Sequence, residues 1–189
     1  VYEDTTKDID KRIEDLISQM SIEEKAGSMF ITVIGINEDG SLSENPTFSN
    51  VFSFLFPSSS KMLVNLKMNH FNIMATHKKE NMLKWYNNIQ KIGEKSRLGI
   101  PITIASDPRH GVSKSPVTSN TSFFSKWPSA LGLAAIGDSS IVREHANIVR
   151  QEYSAIGIKL ALGPMADVST EPRWIRVNGT FGEDAHLNA

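Results

Sequence analysis

Two polar clusters carry the residue types from which a binding site could be built. The first is Ser106-Asp-Pro-Arg-His-Gly111, directly after the apolar run Ile100-Pro-Ile-Thr-Ile-Ala105. The second runs from Asp167 to Asp184, after the apolar stretch Lys159 to Ala166, and includes Thr170-Glu-Pro-Arg-Trp-Ile-Arg176. Asp107 emerges at the end of an apolar segment, where a carboxylate can accept hydrogen bonds from two neighbouring hydroxyls at once. Arg176 can donate two to the same ligand. Guanidinium forks beside an aromatic face suit a planar, hydroxyl-rich or anionic ligand.

Spacing alone leaves several roles open. Asp107 either binds a ligand or makes an Asx turn before Pro108. Arg173 and Arg176, three apart, reach one site only if their segment is turn-like or helical. The competing role for Arg173 is a salt-bridge cluster with Glu171, Glu183 and Asp184. Trp127-Pro128 is either a stacking face or core packing. His110 either shapes its loop by bonding backbone or takes part in catalysis. Asp107, Asp167, Glu183 and Asp184 are available for paired-carboxylate chemistry, but nothing in the spacing selects a pair.

Other chemistries are excluded or weak. The chain has 189 residues, 40% hydrophobic and 22% charged, with a formal net charge of -1. That balance suits a soluble globular fold with one sizeable core and argues against a nucleic-acid partner or a membrane-surface patch. No apolar stretch approaches the ~18 residues of a membrane span. Cysteine is absent, which removes disulfides, thiolate metal sites and a cysteine nucleophile. The histidines His70, His77, His110, His145 and His186 have no metal-ligand spacing, so neither metal nor organic cofactor is expected. Phosphate loops, dinucleotide fingerprints and serine-hydrolase elbows are missing too. Asn120-Thr-Ser and Asn178-Gly-Thr are glycosylation sequons, relevant only on a eukaryotic secretory route.

The elements that must position these clusters follow from periodicity. Ile9, Ile13, Leu16, Ile17 and Met20 form one helical stripe, and Ser21 with Glu24 predicts a capping box on a second helix. Met29–Ile34, His70–Met74, Ile100–Ala105 and Ile158–Leu162 read as buried strands. Between them, Thr76 is placed to cap a helix with the stripe Met82, Trp85, Ile89 and Ile92, ending at Arg97-Leu-Gly99. Asp138 opens the strongest helix, with Val142, Ala146, Val149, Tyr153 and Ile156 on one face and Gly157 as its stop. Residues 37 to about 60 form a long loop whose Phe52, Phe54 and Phe56 either pack locally, the favoured role, or line a cleft. Strand and helix alternate, which predicts an α/β fold with a parallel sheet. Four βα units fit an open doubly wound sheet or part of a (β/α)8 barrel, which when complete needs ~250 residues. In either architecture function gathers at the C-terminal ends of the strands, where both polar clusters lie.

Ser18-Gln-Met-Ser-Ile-Glu-Glu-Lys25, Asn69-His-Phe-Asn72, Arg97-Leu-Gly-Ile-Pro-Ile102, Ser106-Asp-Pro-Arg-His110 and Trp127-Pro-Ser-Ala-Leu-Gly-Leu-Ala134 are continued by Arg150-Gln-Glu-Tyr153, Gly157-Ile158, and Glu171-Pro-Arg-Trp through Gly179-Thr-Phe-Gly-Glu-Asp184. These short motifs, in register, resemble family 3 glycoside hydrolases, the β-glucosidase group. The resemblance spans nearly the whole chain, dense after Arg97 and thin through residues 37–68. It implies that residues 1–189 are the N-terminal part, about four βα units, of a (β/α)8 TIM-type barrel domain incomplete at its C-terminus, with a second α/β domain beyond. It also implies that Asp107 and Arg176 hold glucose hydroxyls, with β-glucosides or β-glucan oligosaccharides as substrates. The Asp nucleophile and the Glu acid/base of a retaining mechanism would lie beyond Ala189. The 189 residues alone are then expected to be inactive and poorly stable, since a half barrel leaves strand edges and apolar helix faces uncovered. Export to the periplasm or medium is the matching location. The alternative is a non-catalytic carbohydrate-binding or scaffold protein; a weaker third is a phosphometabolite domain built on Arg173 and Arg176. Two departures bear on the pocket: Ile175 stands where the family usually has a small residue, and Gly163 where it often has His.

Overall fold

The computed structural model describes residues 1–44, 57–73, 76–111 and 123–189. Phe52, Phe54, Phe56, Met74 and the Asn120-Thr-Ser sequon lie outside them. Four strands, β1 (Ile31–Ile34), β2 (His70–Ile73), β3 (Thr103–Ser106) and β4 (Ile158–Ala161), form one sheet in the order β1-β2-β3-β4. All three pairings are parallel. The fold is therefore α/β with a parallel sheet, as the alternation of elements predicts. Sequential order means each crossover steps the same way, without the reversal at which doubly wound sheets bind their ligands.

Side chains alternate across this sheet. On β2, Phe71 and Ile73 are buried while His70 and Asn72, on the other face, are half-buried. The helix α3 (Lys79–Glu94) buries Met82, Trp85 and Ile89, and these join Phe71, Ile73, Ile104 and Ile158 in one core. Its predicted boundaries shift inward. Thr76 is not its cap: the helix starts after Lys78 without a side-chain cap, and the preceding His77 lies with Nε2 2.9 Å from the Ile36 carbonyl. Arg97 lies beyond its end and instead pairs with Glu24 and the Gln19 carbonyl.

α1 (Ile9–Gln19) forms where its stripe predicts, yet Ile9, Ile13 and Ile17 are exposed in this chain. α2 (Ile22–Ser28) has the predicted capping box between Ser21 and Glu24. The short helix α4 (Ala130–Ile136), capped by Ser129, has no counterpart in the periodicity; seven mostly apolar residues make too few turns to declare a face. α5 (Ser139–Ala155) begins at its Asp138 cap and sends Tyr153 and then Ile156 into the core. Its stop, Gly157, has φ +86, and a Cβ there would sit 2.3 Å from Tyr86 ring carbons. Gly157→Ala therefore combines left-handed strain with overpacking and is expected to cost about 3 kcal/mol. A thermal melt that moves by less than a degree would show that α3 and α5 separate freely at this point. A final turn, α6 (Ala185–Asn188), is capped by Asp184.

Candidate active-site face

The parallel register aligns the C-terminal ends of the strands, pairing Ile73 with Ser106 and Ser106 with Ala161. Asp107 is thus the first residue past β3, half-buried. Its carboxylate oxygen Oδ2 accepts a 3.0 Å hydrogen bond from Asn72 Nδ2 on β2. Its main chain is held as well: the Asp107 carbonyl accepts from Tyr153 Oη at 2.7 Å and from Ser106 Oγ at 2.9 Å. The Asp107 carboxylate accepts no hydrogen bond from the Arg109 amide to form an Asx turn; one of its oxygens is engaged sideways, by the neighbouring strand.

Arg109 and His110 anchor the loop that carries Asp107. Arg109 is 1% exposed; its Nε donates to Ser106 Oγ at 2.8 Å and a terminal nitrogen to the Ile73 carbonyl at 2.6 Å. It clips the end of β3 to the end of β2, with its pKa held below the usual guanidinium range by burial. His110, equally buried, meets Glu152 Oε2 through Nε2 at 2.8 Å, and its carbonyl accepts the Trp127 amide at 2.7 Å. Burial lowers the His110 pKa, and Glu152 only partly offsets it, so a neutral ring donating to the carboxylate fits the contact. Tyr153, stacked obliquely on His110 with centroids 5.2 Å apart, has its phenol pushed up to about 12 by burial. These residues are a bracket behind the loop. The His110 side chain contacts Glu152 rather than backbone.

The segment after β4 lies beside this loop. Leu162 N donates to the Ser106 carbonyl at 3.0 Å, and a Cβ on Gly163 would come within 3.1 Å of Pro108 Cγ. Gly163 thus lets the two strand mouths approach closely. Further on, Met165 bridges to Thr180, and Ser169 N donates to the Gly182 carbonyl at 2.9 Å. The stretch between is turn-like: Trp174 N reaches the Glu171 carbonyl and Val177 N the Trp174 carbonyl, before a 3-10 turn over Val177–Gly179.

The two arginines part company here. Arg173 is bidentate to Glu171, at 2.8 Å from Nε and 2.7 Å from a terminal nitrogen. That contact holds the Glu171 carboxyl at about 2, well below the usual range. The predicted salt bridge forms with Glu171, while Arg173 has none with Glu183 or Asp184. Arg176, just before the 3-10 turn, is exposed, and its guanidinium has no hydrogen bond or ion pair among the described residues. Asp107 and Arg176 make no direct contact with each other. Ile175 is 91% exposed and does not press on the loop. Trp127 sits against α5, its ring 5.2 Å from that of His145, which is a packing position.

A cleft of about 450 Å³ runs between α5, β4 and the following loop, lined by Val142, Val149, Leu160, Pro164 and Phe181 among others. Neither Asp107 nor Arg176 lines it. Among the described residues no group of three His, Asp or Glu could hold a metal ion, and no helix is long and apolar enough to cross a membrane.

Sequence reasoning singled out Asp107 and Arg176 but assigned nothing to Asn72, Arg109 or Glu152. Asn72 carried a signal, being a polar residue between Phe71 and Ile73 on a buried strand. The Glu152 contact spans 42 residues of sequence and left no local trace.

Residues 58–189 match the glycosyl hydrolase family 3 N terminal domain. The chain belongs to glycosyl hydrolase family 3. It is 39% identical, over its whole length, to a protein of Aspergillus oryzae named probable beta-glucosidase C, and 42% identical over 98% of its length to the periplasmic beta-glucosidase/beta-xylosidase of Dickeya chrysanthemi. It spans 29% and 28% of those two proteins. Among solved structures, a family 3 glycosyl hydrolase from Mycobacterium smegmatis superposes with a TM-score of 0.64 at 16% identity, covering 91% of this chain and 44% of that one. At that identity the match speaks for the fold.

Proposed function

We propose that residues 1–189 are the N-terminal portion of a (β/α)8 barrel in a longer enzyme that removes terminal β-D-glucosyl residues with retention of configuration. The observation that carries this reading is the Asp107 carboxylate, presented at the mouth of β3 and gripped from β2, in a chain so similar to proteins named beta-glucosidases. A barrel is supported by the sequential parallel order and by exposed apolar residues in or next to both outer strands, Met29, Phe30 and Ile31 at the start of β1 and Leu160 and Leu162 at the end of β4. Such residues are what closure with further strands would cover.

In this reading Asp107 accepts two adjacent glucose hydroxyls, and Arg176, without a partner among the described residues, turns its fork to the same sugar. Both bind the glycone. The nucleophile and the acid/base come from later parts of the protein, and no metal or cofactor takes part. The capture of Arg173 by Glu171 speaks against a phosphate site built on two arginines. A place outside the cytoplasm follows the periplasmic relative from Dickeya. The test compares the full-length protein with the 189-residue chain on 4-nitrophenyl β-D-glucoside and on the matching xyloside. Turnover by the long form alone, faster on the glucoside, is expected. Turnover by the short chain would place the catalytic pair within it and overturn the assignment, and a folded but inert long form would favour a carbohydrate-binding or scaffold role.

A further inference from the structure

We infer that Asn72 is a positioning residue that sets the orientation of the Asp107 carboxylate and thereby the strength of glycone binding; the inference rests on the reading of Asp107 as a hydroxyl ligand. Asn72 lies on β2 opposite Ala105 of β3, so its side chain starts from a rigid sheet two residues before Asp107 in register. A carboxylate only accepts hydrogen bonds, so the amide nitrogen of Asn72, and not its oxygen, must face Asp107 Oδ2. The backbone of Asp107 is already fixed by Tyr153 and Ser106. What remains free is rotation about the side-chain torsions, and the terminal carboxylate torsion is intrinsically broad. The Asn72 contact restricts it. One oxygen is engaged from the side, and the other, with the spare lone pairs, is left for ligand hydroxyls.

The other half of the amide argues that this contact is its purpose. Asn72 Oδ1 is buried and has no hydrogen-bond partner among the described residues. A buried acceptor without a donor is unfavourable, so a sheet tuned for stability alone would place an apolar residue between Phe71 and Ile73. The amide carries that cost, and its compensating contact is the one to Asp107.

The experiment is a double-mutant cycle in the full-length protein: Asn72→Leu, Asp107→Ala and the pair together. It reads the inhibition constant of D-glucose against 4-nitrophenyl β-D-glucoside turnover, with KM, kcat and melting temperature alongside. Asn72→Leu keeps the size and removes the donor. It is expected to raise the inhibition constant and KM by about threefold to tenfold, the range of one lost hydrogen bond, with kcat changed less and the melting temperature unchanged or higher. In the Asp107→Ala background the same change should have no further effect. Asn72→Asp, which keeps the shape but sets an acceptor against an acceptor, should weaken glucose more than leucine does. If leucine disturbs the sheet, Asn72→Ala removes the donor instead. Equal effects of Asn72→Leu in both backgrounds, or an unchanged inhibition constant while Asp107→Ala raises it, overturn the positioning role and leave the Asp107 reading intact. An Asp107→Ala protein that binds glucose as the parent does would defeat the Asp107 reading itself, and the inference with it.

Discussion

Replacing Asp107 by Ala in the full-length protein is expected to lower kcat/KM on an aryl β-glucoside by about two to four powers of ten. A hydrogen bond to a charged group contributes about 1.5–3 kcal/mol, and the carboxylate is placed to make two to the sugar, so roughly 3–6 kcal/mol of binding in the transition state is lost. The loss also strands Asn72 Nδ2, whose one hydrogen-bond partner among the described residues is Asp107 Oδ2. The backbone bracket of Ser106, Arg109 and Tyr153 acts through the main chain and other side chains, so the fold should survive. Steady-state kinetics on protein with a normal melting curve decide the matter. A kcat/KM within threefold of the parent would remove Asp107 from the glycone subsite.

The second large effect concerns stability. Trp85 is 1% exposed at the centre of the α3 face, and truncating a buried tryptophan to Ala costs about 3–5 kcal/mol. For a domain of this size the melting temperature should fall by roughly 10 °C. Trp85→Phe is the informative control. Trp85 Nε1 is buried with no acceptor among the described residues, so phenylalanine gives up ring area but also removes an unsatisfied donor. It should cost well under half as much as alanine. Equal destabilisation by the two would mean that the indole nitrogen contributes a favourable contact.

The number and type of strands were legible because parallel strands buried by helices read as short apolar runs. Their ends were not. The third run begins at Ile100, but pairing begins at Thr103: Pro101 has no amide hydrogen to give, and the Gln90 side chain takes both backbone groups of Ile102, at 3.0 and 2.7 Å. The first run includes Met29 and Phe30, which precede β1 and stay exposed. The α1 stripe was legible as a helix, while its exposure depends on what packs against it and leaves no mark in the pattern. The strand order and the choice between sheet types also escaped local periodicity.

At the candidate site, Asp107 was legible through its place after an apolar run, and the Glu171–Arg173 pair through proximity in sequence. Asn72, Arg109 and Glu152 act across strands or across a crossover. Their partners become neighbours only once β2, β3 and α5 have packed, so local spacing does not reveal whom they contact.

Whether this chain supplies the glycone grip of a retaining β-glucosidase can be read from proton NMR of the anomeric signals during early hydrolysis of 4-nitrophenyl β-D-glucoside by the full-length protein. β-D-glucose appearing first, with the α-anomer growing in only by mutarotation, is the predicted result. α-D-glucose as the first product would contradict it, since inversion requires a different placement of the carboxylate pair around the sugar.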